Sequence, residues 1–202
     1  MDEHKIGSAR TIIVLGASAG GVEALAKVLS TLPADLPAAV AIVLHTGPGA
    51  PRLLADIWSK HSALPVAYAQ GGERLAEGQV YVAPPDRHLE VDGDGCLHLS
   101  EGPRLHLSRP SVDRLFETAV QAFGNRTIGV ILTGGDGDGA AGMRAIHAAG
   151  GIGIVQEPSD AKDPSMPLTT LRTDHPRYCL PLRDIGARLA ELSASLATFD
   201  AA

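Results

Sequence analysis

Residues of the three types used in nucleophilic catalysis stand just after three apolar runs. Ser18 sits in the small-residue stretch Gly-Ala-Ser-Ala-Gly (16–20) that closes the run beginning at Ile12. His45 follows the run that ends at Leu44, and two carboxylates, Asp136 and Asp138, follow the run that ends at Thr133. A serine hydroxyl is a weak nucleophile until a base takes its proton. Neutral imidazole does this near pH 7, and a carboxylate on its second nitrogen fixes the tautomer and stabilises the imidazolium. Backbone N–H groups just beyond the serine, at Ala19 and Gly20, are placed to receive an oxyanion. The chemistry is acyl transfer to water.

Other chemistries fit these residues less well. A dinucleotide cradle needs glycine at the second position of its fingerprint and an acidic residue about 20 positions on. Here Ser18 fills the second position of Gly16-x-Ser18-x-x-Gly21, and the second run ends in His45. The Gly-x-Ser-x-Gly pattern also matches a nucleophile elbow, but that short pattern is weak and the ordinary hydrolase elbow follows several strands. Calcium loops counted from Asp136 fail at Ala140 and His147, and those counted from Asp92 fail at Cys96 and Pro103. The remaining histidines have no metal-type spacing, so no metal and no cofactor is expected.

Residues so far apart in sequence must be gathered by the fold. The runs at 12–16 and 38–44 are continuously apolar, as in parallel strands covered on both faces, and Val22 to Leu32 between them has helical periodicity. A helix at 51–60, strands at 65–69 and 79–84, and a hairpin at 88–100 turning on Asp92 to Gly95 follow. Then come a helix N-capped by Ser111, the strand 127–133, a helix at 140–150 and a short strand at 151–155. Residues 156–167 read as a loop by their prolines, and a last helix opens at Pro181 and ends near Leu196. This alternation predicts a doubly wound α/β fold: a mostly parallel sheet with helices on both faces and an inserted antiparallel hairpin. One domain over 1–202 is expected, with loose tails at about 1–9 and 197–202.

Composition narrows the partners. The 202 residues are 45% hydrophobic and 20% charged, with a net charge of -6 and 3% aromatics. An acidic chain poor in stacking side chains is a weak candidate for nucleic acid or for anionic membranes. No run approaches the length of a membrane span, so no membrane insertion is expected. Cys96 and Cys179 read as structural thiols of a cytoplasmic protein.

The stretches IIVLGASAGGVEAL, VLHTGPG, GERLAEGQVYVAPPDRHLEV, RPSVDRLFETAV and GVILTGGDGDGAAGM resemble, in order and spacing, the catalytic domain of the chemotaxis protein-glutamate methylesterase family, CheB. The resemblance runs from about Ile12 to Leu196. It implies hydrolysis of methyl-glutamate esters on the cytoplasmic helices of methyl-accepting chemotaxis receptors, often with deamidation of receptor glutamines. It also implies Ser18 as nucleophile, His45 as base and Asp138, before Gly-Ala, as the aspartate. Gly135 stands where the family carries a methionine whose backbone serves the oxyanion, and Asp136 is an added carboxylate expected to face solvent or cap the next helix. Met166 of the Met-Pro pair is expected near the substrate. An acidic receptor segment calls for local cations, so Arg109, with Arg104 and Arg172, is expected at the cleft. Only about ten residues precede the first strand, so phospho-control is expected from a separate response regulator.

Overall fold

The computed structural model describes residues 9–198. Seven parallel strands form the central sheet: β1 (Ile12–Ala17), β2 (Ala39–Leu44), β3 (Val66–Tyr68), β4 (Val80–Val82), β7 (Thr127–Ile131), β8 (Ile152–Gln156) and β9 (Tyr178–Leu180). Their order is β3-β4-β2-β1-β7-β8-β9, while β5 (His88–Val91) and β6 (Leu97–Ser100) pair antiparallel in a separate hairpin. The helices are α1 (Gly21–Leu29), α2 (Leu54–Ser59), α3 (Val112–Phe123), α4 (Ala140–Ala148), α5 (Ser165–Thr173) and α6 (Leu182–Thr198).

The continuous apolar runs have the cause expected of them. β1, β2, β7 and β8 are buried at every position, because helices cover both faces. Strand side chains alternate, so Ile13 and Leu15 pack with Leu25, Val28, Ile185 and Leu189 of α1 and α6 on one face. Ile12 and Val14 pack with Leu115 and Phe116 of α3 and with Met143 and Ile146 of α4 on the other. The chain runs from β1 outward through β2 and β4, then returns to pair β7 against the free side of β1. β1 is therefore the switch point, and the carboxyl ends of β1, β2 and β7 form a crevice there.

Two elements escaped the sequence reading. Helix α5 begins at Ser165 within the proline-rich loop, and β9 pairs parallel with β8 at the sheet edge. Pro167 is tolerated because it lies in the first helical turn, where N–H groups lack intrahelical acceptors. Asp163 Oδ1 accepts hydrogen bonds from the Ser165 backbone at 3.1 Å and its hydroxyl at 2.7 Å, doing the work of a cap. The expected tails are also shorter than proposed. Ala9 is buried and donates its N–H to Leu75 O at 2.9 Å, and α6 continues through Thr198. Residues 1–8 and 199–202 lie outside the described residues. Both cysteines are unpaired, and Cys179 is exposed on the edge strand rather than packed.

Candidate active site

Parallel pairing of β1 with β2 sets Ala17 opposite Leu44, so Ser18 and His45 leave neighbouring strands side by side. His45 N–H donates to Ala17 O at 3.1 Å, and Ser18 N–H donates to Thr133 O at the end of β7 at 2.9 Å. Ser18 is thus stitched between the two strands that flank β1. Its turn into α1 is made by small residues. Gly20 takes the left-handed conformation (φ 80°), which leaves Ser18 unstrained, and Gly21 N–H donates to Ser18 O at 2.8 Å. None of the backbone bonds that knit this region uses the N–H of Ala19, Gly20 or Gly135. Ser18 itself is held through its backbone.

Asp138 is the best-held group in the crevice. Its side chain is fully buried, and Oδ2 accepts from His45 Nε2 at 2.7 Å and from Val112 N–H at 2.7 Å. Oδ1 accepts from Ser111 Oγ and from Asp113 N–H, both at 2.9 Å. The first turn of α3 therefore caps this carboxylate with two backbone donors and its positive dipole end. Burial alone would raise the Asp138 pKa, but these donors and His45 outweigh it and hold the carboxyl below its ordinary value. Close approach makes the cradle: a Cβ on Gly16 of β1 would fall 2.7 Å from Val112 Cγ2.

Ser111 was expected only as the N-cap of α3, and its oxygen does accept from Arg114 N–H at 3.4 Å. It also donates to Asp138, a role with no separate sequence signal. Ser111 N–H donates to His88 Nδ1 at 3.2 Å, while His88 Nε2 meets Pro103 O at 3.0 Å, which fixes that buried imidazole's tautomer. His106, Asp113 and Asp138 bring ligand-type atoms within 4.8 Å of one another. Hydrogen bonding accounts for the grouping, because Asp113 accepts from Gly142 N–H at 2.7 Å and meets His106 Nε2 at 3.1 Å, while Asp138 serves four donors.

Asp136 is only partly exposed and does not cap α4, whose N-cap is Gly139. Its Oδ1 accepts from Asp138 N–H at 3.0 Å, and its Oδ2 lies 3.1 Å from His45 Nδ1. That contact is an ion pair set off the N–H axis, since Nδ1 is buried without an aligned hydrogen-bond partner. Burial works to lower the His45 pKa, but Asp136 and Asp138 overcome it and raise the imidazole from 6.5 to about 9.

Of two expected substrate contacts, Met166 packs beneath the serine turn and Arg109 lies away from it. Met166 is completely buried behind Gly134, and its N–H donates to Gly134 O at 2.9 Å. Arg109 is spent on structure: Nε and Nη2 donate to Asp86 Oδ1 at 3.1 and 3.0 Å, and Nη1 donates to the carbonyls of Glu101 and Gly102. Arg104 also pairs with Asp86, while Arg172 is exposed on the last turn of α5. The cations beside the serine turn are Lys27 and Lys162, which line a 410 Å³ cleft with Gly20, Glu23, Thr133 and Asp160. Lys162 lies over Gly20, where a Cβ would come within 2.8 Å of the lysine stem.

A doubly wound sheet whose switch point gathers a serine, an imidazole and a cradled carboxylate has the layout of an α/β serine hydrolase. The chain matches the CheB methylesterase family over residues 13–189 and belongs to that family. It is 40% identical over 176 residues to the protein-glutamate methylesterase/protein-glutamine glutaminase of Symbiobacterium thermophilum, covering 87% of this chain and 49% of that protein. A putative enzyme of the same name from Leptospira interrogans is 39% identical over 173 residues, with 86% and 90% covered. The chain thus spans about half the length of some relatives and most of others. The crystal structure of the Thermotoga maritima CheB methylesterase catalytic domain superposes with a TM-score of 0.87 at 32% identity, covering 90% of this chain and 98% of that one.

Proposed function

We propose that this chain is a serine hydrolase that removes methyl esters from glutamate side chains of chemoreceptor-type proteins. Ser18 is the nucleophile, His45 the general base and Asp138 the carboxylate that orients it. The observation that carries this reading is the 2.7 Å contact between His45 Nε2 and a buried, helix-capped Asp138, beside a serine at the end of the adjoining strand. Ser18 Oγ gives its proton to His45 Nδ1 as it bonds to the ester carbon, and the oxyanion is met by N–H groups of Ala19, Gly20 and Gly135. The same proton passes to the departing methanol, and water then splits the acyl-enzyme by the reverse relay.

The names of the relatives support the substrate, and their glutaminase designation extends the reading to receptor glutamines, where ammonia leaves in place of methanol. The partner is the cytoplasmic helical region of a methyl-accepting receptor, and the protein acts on it in the cytoplasm. No described helix is long and apolar enough to cross a membrane. Mass spectrometry of a methylated receptor fragment incubated with the protein tests this, with loss of methyl groups expected. Ser18→Ala should abolish the loss while leaving the circular dichroism spectrum unchanged, and Asp138→Asn should lower kcat by up to about 10⁴-fold. Full turnover by Ser18→Ala would remove the nucleophile, and hydrolysis of small esters with an untouched receptor would point to another target.

A further inference from the structure

His45 has a carboxylate at each ring nitrogen. Asp138, itself fully buried, takes Nε2 in a hydrogen bond, and Asp136 Oδ2 stands 3.1 Å from Nδ1, the nitrogen left for the serine. The two carboxylates are held differently. Asp138 is fixed by three donors besides His45, whereas Asp136 rides between Gly135 and Gly137, one third exposed, with a single hydrogen bond to Asp138 N–H. Its contact with Nδ1 is off-axis and so easily exchanged. One partner is built to stay and the other to leave.

We propose that Asp136 is a positioning residue that holds the imidazole by Nδ1 in the resting enzyme and must release that nitrogen before it can receive the Ser18 proton. This deepens the proposed function and rests on its assignment of Ser18 and His45. With a carboxylate oxygen at each nitrogen, the resting ring carries a proton on both. Activation sends the Nδ1 proton past Asp136 to water, which restores the lone pair that accepts the hydroxyl proton of Ser18. The ionisable groups around the ring are Asp136 and Asp138 of the β7–α4 turn. Behind Asp138 stand Asp113 and Glu117 of α3, with His106 of the β6–α3 segment paired to Asp113, and Ser18 on the β1–α1 turn adds no charge. The arrangement agrees with an imidazole raised to about 9, neutral in on the order of 1% of molecules at pH 7.

The test titrates the His45 ring by NMR in the whole chain and follows ester hydrolysis from about pH 6 to about pH 10, in wild type, Asp136→Asn and Asp136→Gly. Asn can still accept the Asp138 N–H, and Gly removes the side chain altogether. The wild-type ring should titrate near 9, with kcat/KM climbing to that point. Both variants should lower the two midpoints together by about 1 to 2 pH units, so that the share of each protein's own alkaline rate reached at neutral pH rises on the order of 10-fold. A purely structural Asp136 would instead lower the rate at every pH and leave the midpoints in place, and that result overturns the proposal. So does an unmoved His45 titration in both variants. The NMR readout needs no substrate, so a wild type that cleaves no ester would sink the proposed function while the titration still decides the role of Asp136.

Discussion

His45 is a residue whose catalytic and structural demands oppose one another. The two carboxylates that hold it also keep it charged, so the interaction that orders the crevice withholds the base. This has a consequence for stability that can be measured without substrate. The folded-state pKa of about 9 lies above the unfolded value of 6.5, so His45 contributes stability that is fully present below 6.5 and is lost as pH rises through 9. At about 1.4 kcal/mol per pH unit the whole change is on the order of 3 kcal/mol. The lowered Asp138 pKa acts with the opposite sign: its contribution is present above the ordinary carboxylate value of 3.8 and is lost as pH falls through the folded value. Denaturant unfolding should therefore give a stability maximum between about pH 4 and 6.5, declining toward 9, and His45→Gln should flatten the alkaline decline. An alkaline slope identical in that variant would show that the imidazole is not the cause.

Helix α3 serves the site through its first turn rather than through any reacting side chain. Val112 and Asp113 point their N–H groups at Asp138, Ser111 adds a hydroxyl, and Val112 Cγ2 fits over the bare Cα of Gly16. Gly16→Ala should push this turn away, costing about 1–3 kcal/mol by overpacking and lowering kcat because the Asp138 donors move with it. Val112→Ala placed on the same chain opens space for the new methyl, so the double variant should regain most of the lost rate. Chemical denaturation and single-substrate kinetics on the three proteins check both parts. Additive losses, with no recovery in the double variant, would break the link between that contact and the site. Arg109 belongs to the same scale, since four of its N–H groups tie the exit of the β5–β6 hairpin, at Glu101 and Gly102, to Asp86 in the turn before β5 instead of facing the cleft.

Over the whole molecule, a net charge of -6 would oppose docking to the acidic receptor segment of the proposed function. Surface repulsion between like-charged proteins slows encounter unless local cations guide it. Lys27 from α1 and Lys162 from the loop before α5 come together beside the serine turn although 135 positions separate them in the chain. Reversing both to Glu should raise KM for a receptor fragment on the order of 10-fold at low salt, leave kcat for a small neutral ester within about twofold, and steepen as salt is withdrawn. Unchanged receptor kinetics across salt concentrations would place the docking surface elsewhere.

The apolar runs of β1, β2, β7 and β8 and the period of α1, α3, α4 and α6 were legible in the sequence, because burial on both faces or on one leaves its mark residue by residue. From strand ends alone Ser18, His45 and a carboxylate of the glycine-rich turn could be grouped, since parallel sheets open their sites there. The resemblance then singled out Asp138. Helix α5 was hidden by prolines whose effect depends on their place in the turn, and β9 was too short to show a period. The partners of each group were decided by tertiary structure alone. Asp136 and Asp138 are two residues apart and chemically alike, yet only the path of the turn puts one on each nitrogen of His45. Likewise Arg109 is a clamp and Lys162 a cleft residue because hydrogen-bond donors follow distance and direction in space, which residue type and spacing along a chain do not carry.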